Sequence, residues 1–281
     1  MIISASRRTD IPAFYADWFV NRLNAGYCLV KNPYNPNQIR RVSLAPADVS
    51  GIVFWTKNAT PLLAKMDVLD MYEYYYQYSI TPYHSDIERG IANKRTECIP
   101  TFIELAKRIS PERMIWRYDP IVITQRYDID YQIKAFARLC ELLEGSTHKC
   151  VLSFAIAYKS VTKRLQNSGH IELTVQEKVQ LAEMLFSIAQ KHGITLCACC
   201  ELAELSQTGV QPISCVDAAI FGITAPRDKN QRKGCNCAVS VDIGAYNTCM
   251  NGCVYCYANH NEALVKNNFV NRDPNGAFLG P

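Results

Sequence analysis

Six short apolar segments, each ending in polar residues, constrain what this chain can fold into more than any other feature. Residues 1–6, 51–55, 72–80, 114–117, 150–157 and 194–199 are rich in β-branched, aromatic or other apolar side chains and read as strands. Stretches of helical period alternate with them. Residues 14–23 are amphipathic, and residues 61–69 carry a proline in the first turn. Ile99, Phe102, Ala106 and Ile109 share one helical face, as do Ile129, Ile133, Phe136, Cys140 and Leu143. Thr174 and Glu177 have the spacing of a capping box opening a further helix. Residues 32–37, dense in proline and asparagine, read as an irregular loop.

This alternation predicts an α/β fold with a parallel sheet. At least six such units favour a TIM-like full or partial parallel (β/α) barrel over residues 1–208. From about Gly209 the pattern fades, and residues 209–281 are expected to form a cysteine-rich cap packed on the barrel and unable to fold alone. The chain has 281 residues, 48% of them hydrophobic, enough for a sizeable core. A formal charge of +4 permits an anionic ligand without demanding nucleic acid. No secretory leader and no membrane-spanning apolar run is read, so a cytoplasmic protein is expected. In that compartment thirteen cysteines point to metal ligands rather than disulfides.

In a parallel barrel the ligand site lies at the C-terminal ends of the strands. Those ends carry Arg7, Arg8 and Asp10; Thr56, Lys57 and Asn58; Thr81 and His84; Arg117 and Asp119; and Glu201. Arginine and lysine there suit a carboxylate or phosphate, and the acids suit an amine, a hydroxyl or proton transfer. Taken singly, each reads first as a polar loop residue or a brace of the barrel. Contributed by several strands at one end, they form a candidate site.

Five cysteines fall between Cys235 and Cys256. Cys249, Cys253 and Cys256 have the spacing Cys-x-x-x-Cys-x-x-Cys, with Gly252 to turn the backbone and Tyr255 to shield one side. Three thiolates from one loop suit a four-iron cluster with one iron left open. Zinc on Cys253, Cys256, Cys235 and Cys237 is the rival reading, and unmetallated thiols a third. Cys199 (or Cys200), Cys215, Cys235 and Cys237 make a further set of four, for a second cluster or a zinc ion. Cys28, Cys98, Cys140, Cys150 and Cys197 read as small core residues or isolated thiols.

The Cys249–Cys256 loop resembles the cluster-binding motif of radical S-adenosylmethionine enzymes, which use a full or partial α/β barrel. A wider resemblance is to the domain-of-unknown-function 1848 family. It is carried by residues 3–12, 54–58, 116–120, 228–232 and 242–249. By that family's pattern Cys199 and Glu201 are matching positions and Cys200 is extra. In radical enzymes the motif follows the first barrel strand, whereas here it lies at the far end of the chain. A circular permutation, with the C-terminal loop folding back over the barrel mouth near strand one, would reconcile the two.

The resemblance implies a four-iron cluster on Cys249, Cys253 and Cys256, with S-adenosylmethionine as co-substrate. Arg7, Lys57, Asn58 and Tyr255 are the expected cofactor contacts. Arg7, Arg8, Asp10, Lys57, Arg117, Asp119 and Glu201 are the expected catalytic set. A small-molecule substrate and an electron donor are the implied partners, with nucleic acid a minor branch and no membrane. The alternative is a non-radical iron–sulfur or zinc protein, with an electron-transfer, sensing or structural role on a ligand-binding barrel.

Overall fold

Ile2, Ile3, Ser4 and Ala5 are all buried and form β1 (Ile2–Ala5), the strand from which the sheet grows in both directions. The computed structural model spans residues 1–281 and describes all but Glu201 and Ser206, together with the side chains of Leu202 and Ala203. The candidate residue Glu201 therefore lies outside the described residues.

After β1 come α1 (Ile11–Phe14), capped by the Asp10 carboxylate, and α2 (Ala16–Ala25). Next are β2 (Tyr27–Asn32) and β3 (Asn35–Ser43), which pair antiparallel as a separate hairpin. The irregular loop expected over residues 32–37 is thus the tip of a hairpin. β3 is exposed along most of its length, so no apolar alternation marks it as a strand.

The alternating body follows: β4 (Gly51–Thr56), α3 (Thr60–Leu63), β5 (Tyr74–Ser79), α4 (Ile99–Ile109), β6 (Met114–Ile121) and α5 (Ile129–Leu143). It continues through β7 (Lys149–Phe154), α6 (Thr162–Asn167), α7 (Val175–Lys191), β8 (Thr195–Ala198) and α8 (Leu202–Leu205). The capping box of Thr174 and Glu177 opens α7. Two strands of two residues each, β9 (Gln211–Pro212) and β10 (Val241–Asp242), precede a final helix, α9 (Glu262–Val270).

Eight strands form one sheet in the order β10-β1-β4-β5-β6-β7-β8-β9, and every pairing in it is parallel. The full barrel allowed by the alternation does not close. β9 and β10 remain as edges and are not paired with each other among the described residues.

Successive residues of a strand face opposite sides, and both sides are covered here. Ile3, Phe54, Tyr76, Trp116, Leu152 and Leu196 pack with the helices. Phe54 stacks on Tyr76 at 4.8 Å and Trp116 on Phe136 of α5 at 5.1 Å. Burying an aromatic of this size stabilises by about 2–3 kcal/mol. On the opposite face, Ile2, Val53, Tyr75, Ile115, Val151 and Cys197 pack under Val216, Phe221, Cys235, Cys237 and Ala238. Two residues further along the same strands, that face carries Ser4, Trp55, Gln77, Arg117, Ser153 and Cys199. The inner face thus turns from apolar to polar and thiol-bearing toward the C-terminal ends.

No helix among the described residues is long and apolar enough to cross a membrane.

Candidate metal and ligand site at the strand ends

The polar row on the inner face is joined by hydrogen bonds. Arg117 Nη1 donates to Gln77 Oε1 at 3.0 Å and to Cys215 Sγ at 3.2 Å, while Nη2 donates to Asp119. Ser153 donates to the other Asp119 oxygen. Burial works against the charge on Arg117, but Asp119 and Cys215 outweigh it and raise its pKa. The Arg117 and Arg7 guanidiniums lie 5.2 and 4.8 Å from the Trp55 ring centre. Arg7 Nη2 and Trp55 Nε1 are both buried without a hydrogen-bond partner among the described residues. Buried donors left unpaired cost about 1–3 kcal/mol each, a cost that an acceptor from a bound ligand would relieve.

Beside this row, Asp242 organises the chain's beginning. Its carboxylate accepts from Ser4 Oγ at 3.1 Å, Ser6 Oγ at 2.5 Å, Arg7 N at 2.9 Å and Arg8 Nε at 3.1 Å. Arg8 Nη2 also donates to the Asp242 carbonyl at 2.9 Å. The Arg8 side chain is therefore committed to bracing β1 against β10.

The cysteine loop follows directly from β10. Asp10, buried at the cap of α1, accepts from Thr56 Oγ1 and Lys57 N at 2.7 Å and from Asn251 Nδ2 at 3.0 Å, joining β4 to the loop. Burial raises its pKa, against the pull of those donors. Gly90 N donates to Asn251 O at 2.9 Å and Val254 N to Ile87 O at 3.0 Å. A Cβ on Gly90 would lie 2.0 Å from Met250 O, so only glycine permits this approach. Gly252 turns the loop at a φ of 60°. Cys249 and Cys253 are buried and Cys256 is half-exposed. Burial pushes Cys253 up to about 12, with Lys57 pulling the other way, and raises Cys249 further. Both thiols are thus protonated near neutrality unless a cation takes the place of the proton.

Glu88 is the hub beside the loop. It is fully buried and accepts from Lys57 Nζ at 2.9 Å, Thr81 Oγ1 at 2.7 Å, Lys94 Nζ and Tyr255 Oη. Burial alone would raise its pKa, but Lys57 and Lys94 hold it down at about 2. For Lys57, Glu88 and Cys253 outweigh burial and raise the pKa, whereas for Lys94 burial wins and lowers it. The Lys57 ammonium also lies 5.6 Å from the Tyr255 ring centre. Asn58 is turned away from this hub, donating to Glu97 Oε1 at 2.7 Å.

A second group of thiols lies on the inner face. The sulfurs of Cys199, Cys235 and Cys237 are all within 4.8 Å of one another, the one such set of three ligand atoms among the described residues. Cys215 lies beside both Cys199 and Cys237; hydrogen bonding with Cys199 and Cys215 lowers the Cys237 thiol pKa, while the contacts of Cys199 with Cys215 and Cys237 raise that of Cys199. Cys249, Cys253 and Cys256 do not all approach one another so closely.

A family model described as Domain of unknown function (DUF1848) matches residues 2–258. The chain belongs to that family. No curated protein matches it. The DUF1848 region takes in every candidate residue and ends two positions beyond Cys256, leaving α9 outside.

Within the DUF1848 region, Arg7, Arg117 and Asp119 meet on the inner face, while Asp10, Lys57 and Tyr255 meet at the cysteine loop. Arg8 and Asn58 are engaged elsewhere, and His84 is exposed at the rim. Cys28, Cys98, Cys140, Cys150 and Cys197 are buried, as their sequence settings suggested. Glu88, Lys94, Asn251 and the role of Asp242 were not foreseen. Asp242 stands in residues 242–249, one of the stretches that carry the family resemblance in the sequence. Glu88 and Lys94 carry no comparable signal, because their partners are remote in sequence or look like ordinary surface charge.

Proposed function

We propose that this protein is an iron–sulfur enzyme of the radical S-adenosylmethionine type, built on a circularly permuted partial barrel. The observation that carries the reading is the pairing of β10 with β1. It makes β10 an edge strand of the parallel sheet, with the Cys249–Cys256 loop leaving its C-terminal end. In radical enzymes the cluster loop likewise follows the first strand of the barrel, so a break in the chain at another point accounts for the reversed order.

The residues fit the cluster. Cys249, Cys253 and Cys256 supply three thiolates from one loop, set wider apart than ligands of a single ion, and leave one iron open. When bound, such a cluster supplies one electron to the sulfonium of S-adenosylmethionine, and the cofactor carries the radical chemistry. The protein's part is to bind, orient and exclude water. Lys57 offers a buried positive charge near Cys253. Tyr255 covers the loop and is fixed by Glu88. Arg7 Nη2 and Trp55 Nε1, the unpaired donors of the inner face, suit a carboxylate or phosphate of the co-substrate or substrate.

The reading is tested by iron and sulfide analysis of protein reconstituted without oxygen. About four irons and four sulfides per chain are expected to disappear in the Cys249→Ala, Cys253→Ala, Cys256→Ala triple variant. An unchanged iron content in that variant would remove the cluster from this loop.

A further inference from the structure

We infer that Cys199, Cys215, Cys235 and Cys237 form a closed four-thiolate zinc site on the inner face, distinct from the cysteine loop. The geometry of Cys199, Cys235 and Cys237 matches a single ion. Zinc–thiolate bonds of about 2.3 Å in a tetrahedron place the sulfurs about 3.8 Å apart. Cys199 Sγ and Cys235 Sγ are 3.8 Å apart, and three of the sulfurs lie within 4.8 Å of one another. Thiolates on separate irons of a cluster stand further apart than this.

Burial and outer contacts support a closed structural site. Cys215, Cys235 and Cys237 are 5%, 4% and 2% exposed, leaving no room for a reacting ligand at those sulfurs. Val216 N donates to Cys237 Sγ at 3.4 Å and Cys237 N to Cys235 Sγ at 3.5 Å. Arg117 donates to Cys215 Sγ, placing a cation beside what would be a doubly negative centre. Tyr75 Oη and Gln77 Nε2 hold the Cys215 carbonyl at 2.7 and 2.9 Å. Such outer contacts orient metal ligands and tune their charge. Cys200, 3.7 Å from Cys199, and Cys215 both stand outside the close set of three; Cys215 is taken as the fourth ligand because it is buried in one cluster with Cys235 and Cys237, whereas Cys200 is half-exposed.

The position explains why an ion is useful there. Cys199 follows β8 directly, Cys215 lies just beyond β9, and Cys235 and Cys237 precede β10. Zinc on these four would tie the two edge regions of the sheet together where no strand pairing among the described residues does so. Cys199 also stands in the inner-face row with Trp55 and Arg117, so the same ion would support the residues at the mouth.

The test is metal analysis of the full-length protein, and it does not depend on the loop cluster. One zinc per chain is expected, retained when the Cys249→Ala, Cys253→Ala, Cys256→Ala variant loses its iron, and lost in Cys235→Ser, Cys237→Ser. Should that double variant fail to fold, cobalt(II) exchange into the wild-type and loop-variant proteins gives a second readout. Intense thiolate-to-cobalt absorption with tetrahedral ligand-field bands is expected. Iron with acid-labile sulfide persisting in the loop variant would overturn the proposal in favour of a second cluster. Protein with neither zinc nor cobalt binding at these thiols would also overturn it. Absence of the loop cluster with zinc retained would sink the proposed function alone.

Discussion

Ser4 and Asp242 stand side by side on adjacent parallel strands, although 238 residues separate them, and Ser4 Oγ donates to the Asp242 carboxylate at 3.1 Å. That contact makes the end of the chain part of the sheet. It also sets the starting point of the loop that carries Cys249, Cys253 and Cys256.

Asp242→Ala removes the acceptor for Ser4, Ser6, Arg7 N and Arg8 in one step. With several donors left unpaired and Arg8 stripped of its carboxylate, a loss of about 2–4 kcal/mol is expected. Chemical denaturation measures it. Iron retention should fall in parallel, because β10 leads directly into the cysteine loop.

The alternating strands and their polar ends were legible in the sequence because each strand is an apolar run with abrupt boundaries. The hairpin of β2 and β3 was not, since most of β3 buries nothing and carries no alternation. The thiol group on the inner face could be assembled by asking which cysteines the loop leaves over. β10 could not be seen, because two residues give no periodicity and its pairing with β1 is entirely long-range. Glu88 was hidden in the same way: it falls in no strand, helix or motif read from the sequence, and only the fold brings Lys57 against it.

Glu88 contributes to the pH dependence of the metal-free protein's stability. Its folded pKa of about 2 lies below the ordinary 4.5. The contribution is therefore full above about pH 4.5 and is lost as pH falls toward 2. Its size is about 3 kcal/mol. In Glu88→Gln the acid arm of a stability–pH profile should flatten over that window. At neutral pH the variant should be about 3–5 kcal/mol less stable, with two buried lysines lacking a carboxylate.

Gly90→Ala tests the seating of the cysteine loop. The added methyl would lie 2.0 Å from Met250 O, so the loop must move. A cost of about 1–3 kcal/mol is expected. Bound iron after reconstitution should drop well below that of the wild type, while far-ultraviolet circular dichroism stays unchanged.

Arg7→Met separates function from stability. Arg7 Nη2 has no hydrogen-bond partner among the described residues, and losing its 4.8 Å contact with the Trp55 ring offsets the relief of that unpaired donor, so stability should change by no more than about 1 kcal/mol. The backbone bond from Arg7 N to Asp242 persists. Turnover should nevertheless fall by at least about 100-fold, if the guanidinium holds an anionic group with a charged hydrogen bond of about 3 kcal/mol.

The most direct measurement is the fate of S-adenosylmethionine incubated anaerobically with reconstituted, reduced protein. Release of 5′-deoxyadenosine and methionine by the wild type, abolished in the Cys249→Ala, Cys253→Ala, Cys256→Ala variant, is the predicted result. A fully loaded four-iron protein that leaves S-adenosylmethionine intact would contradict the account.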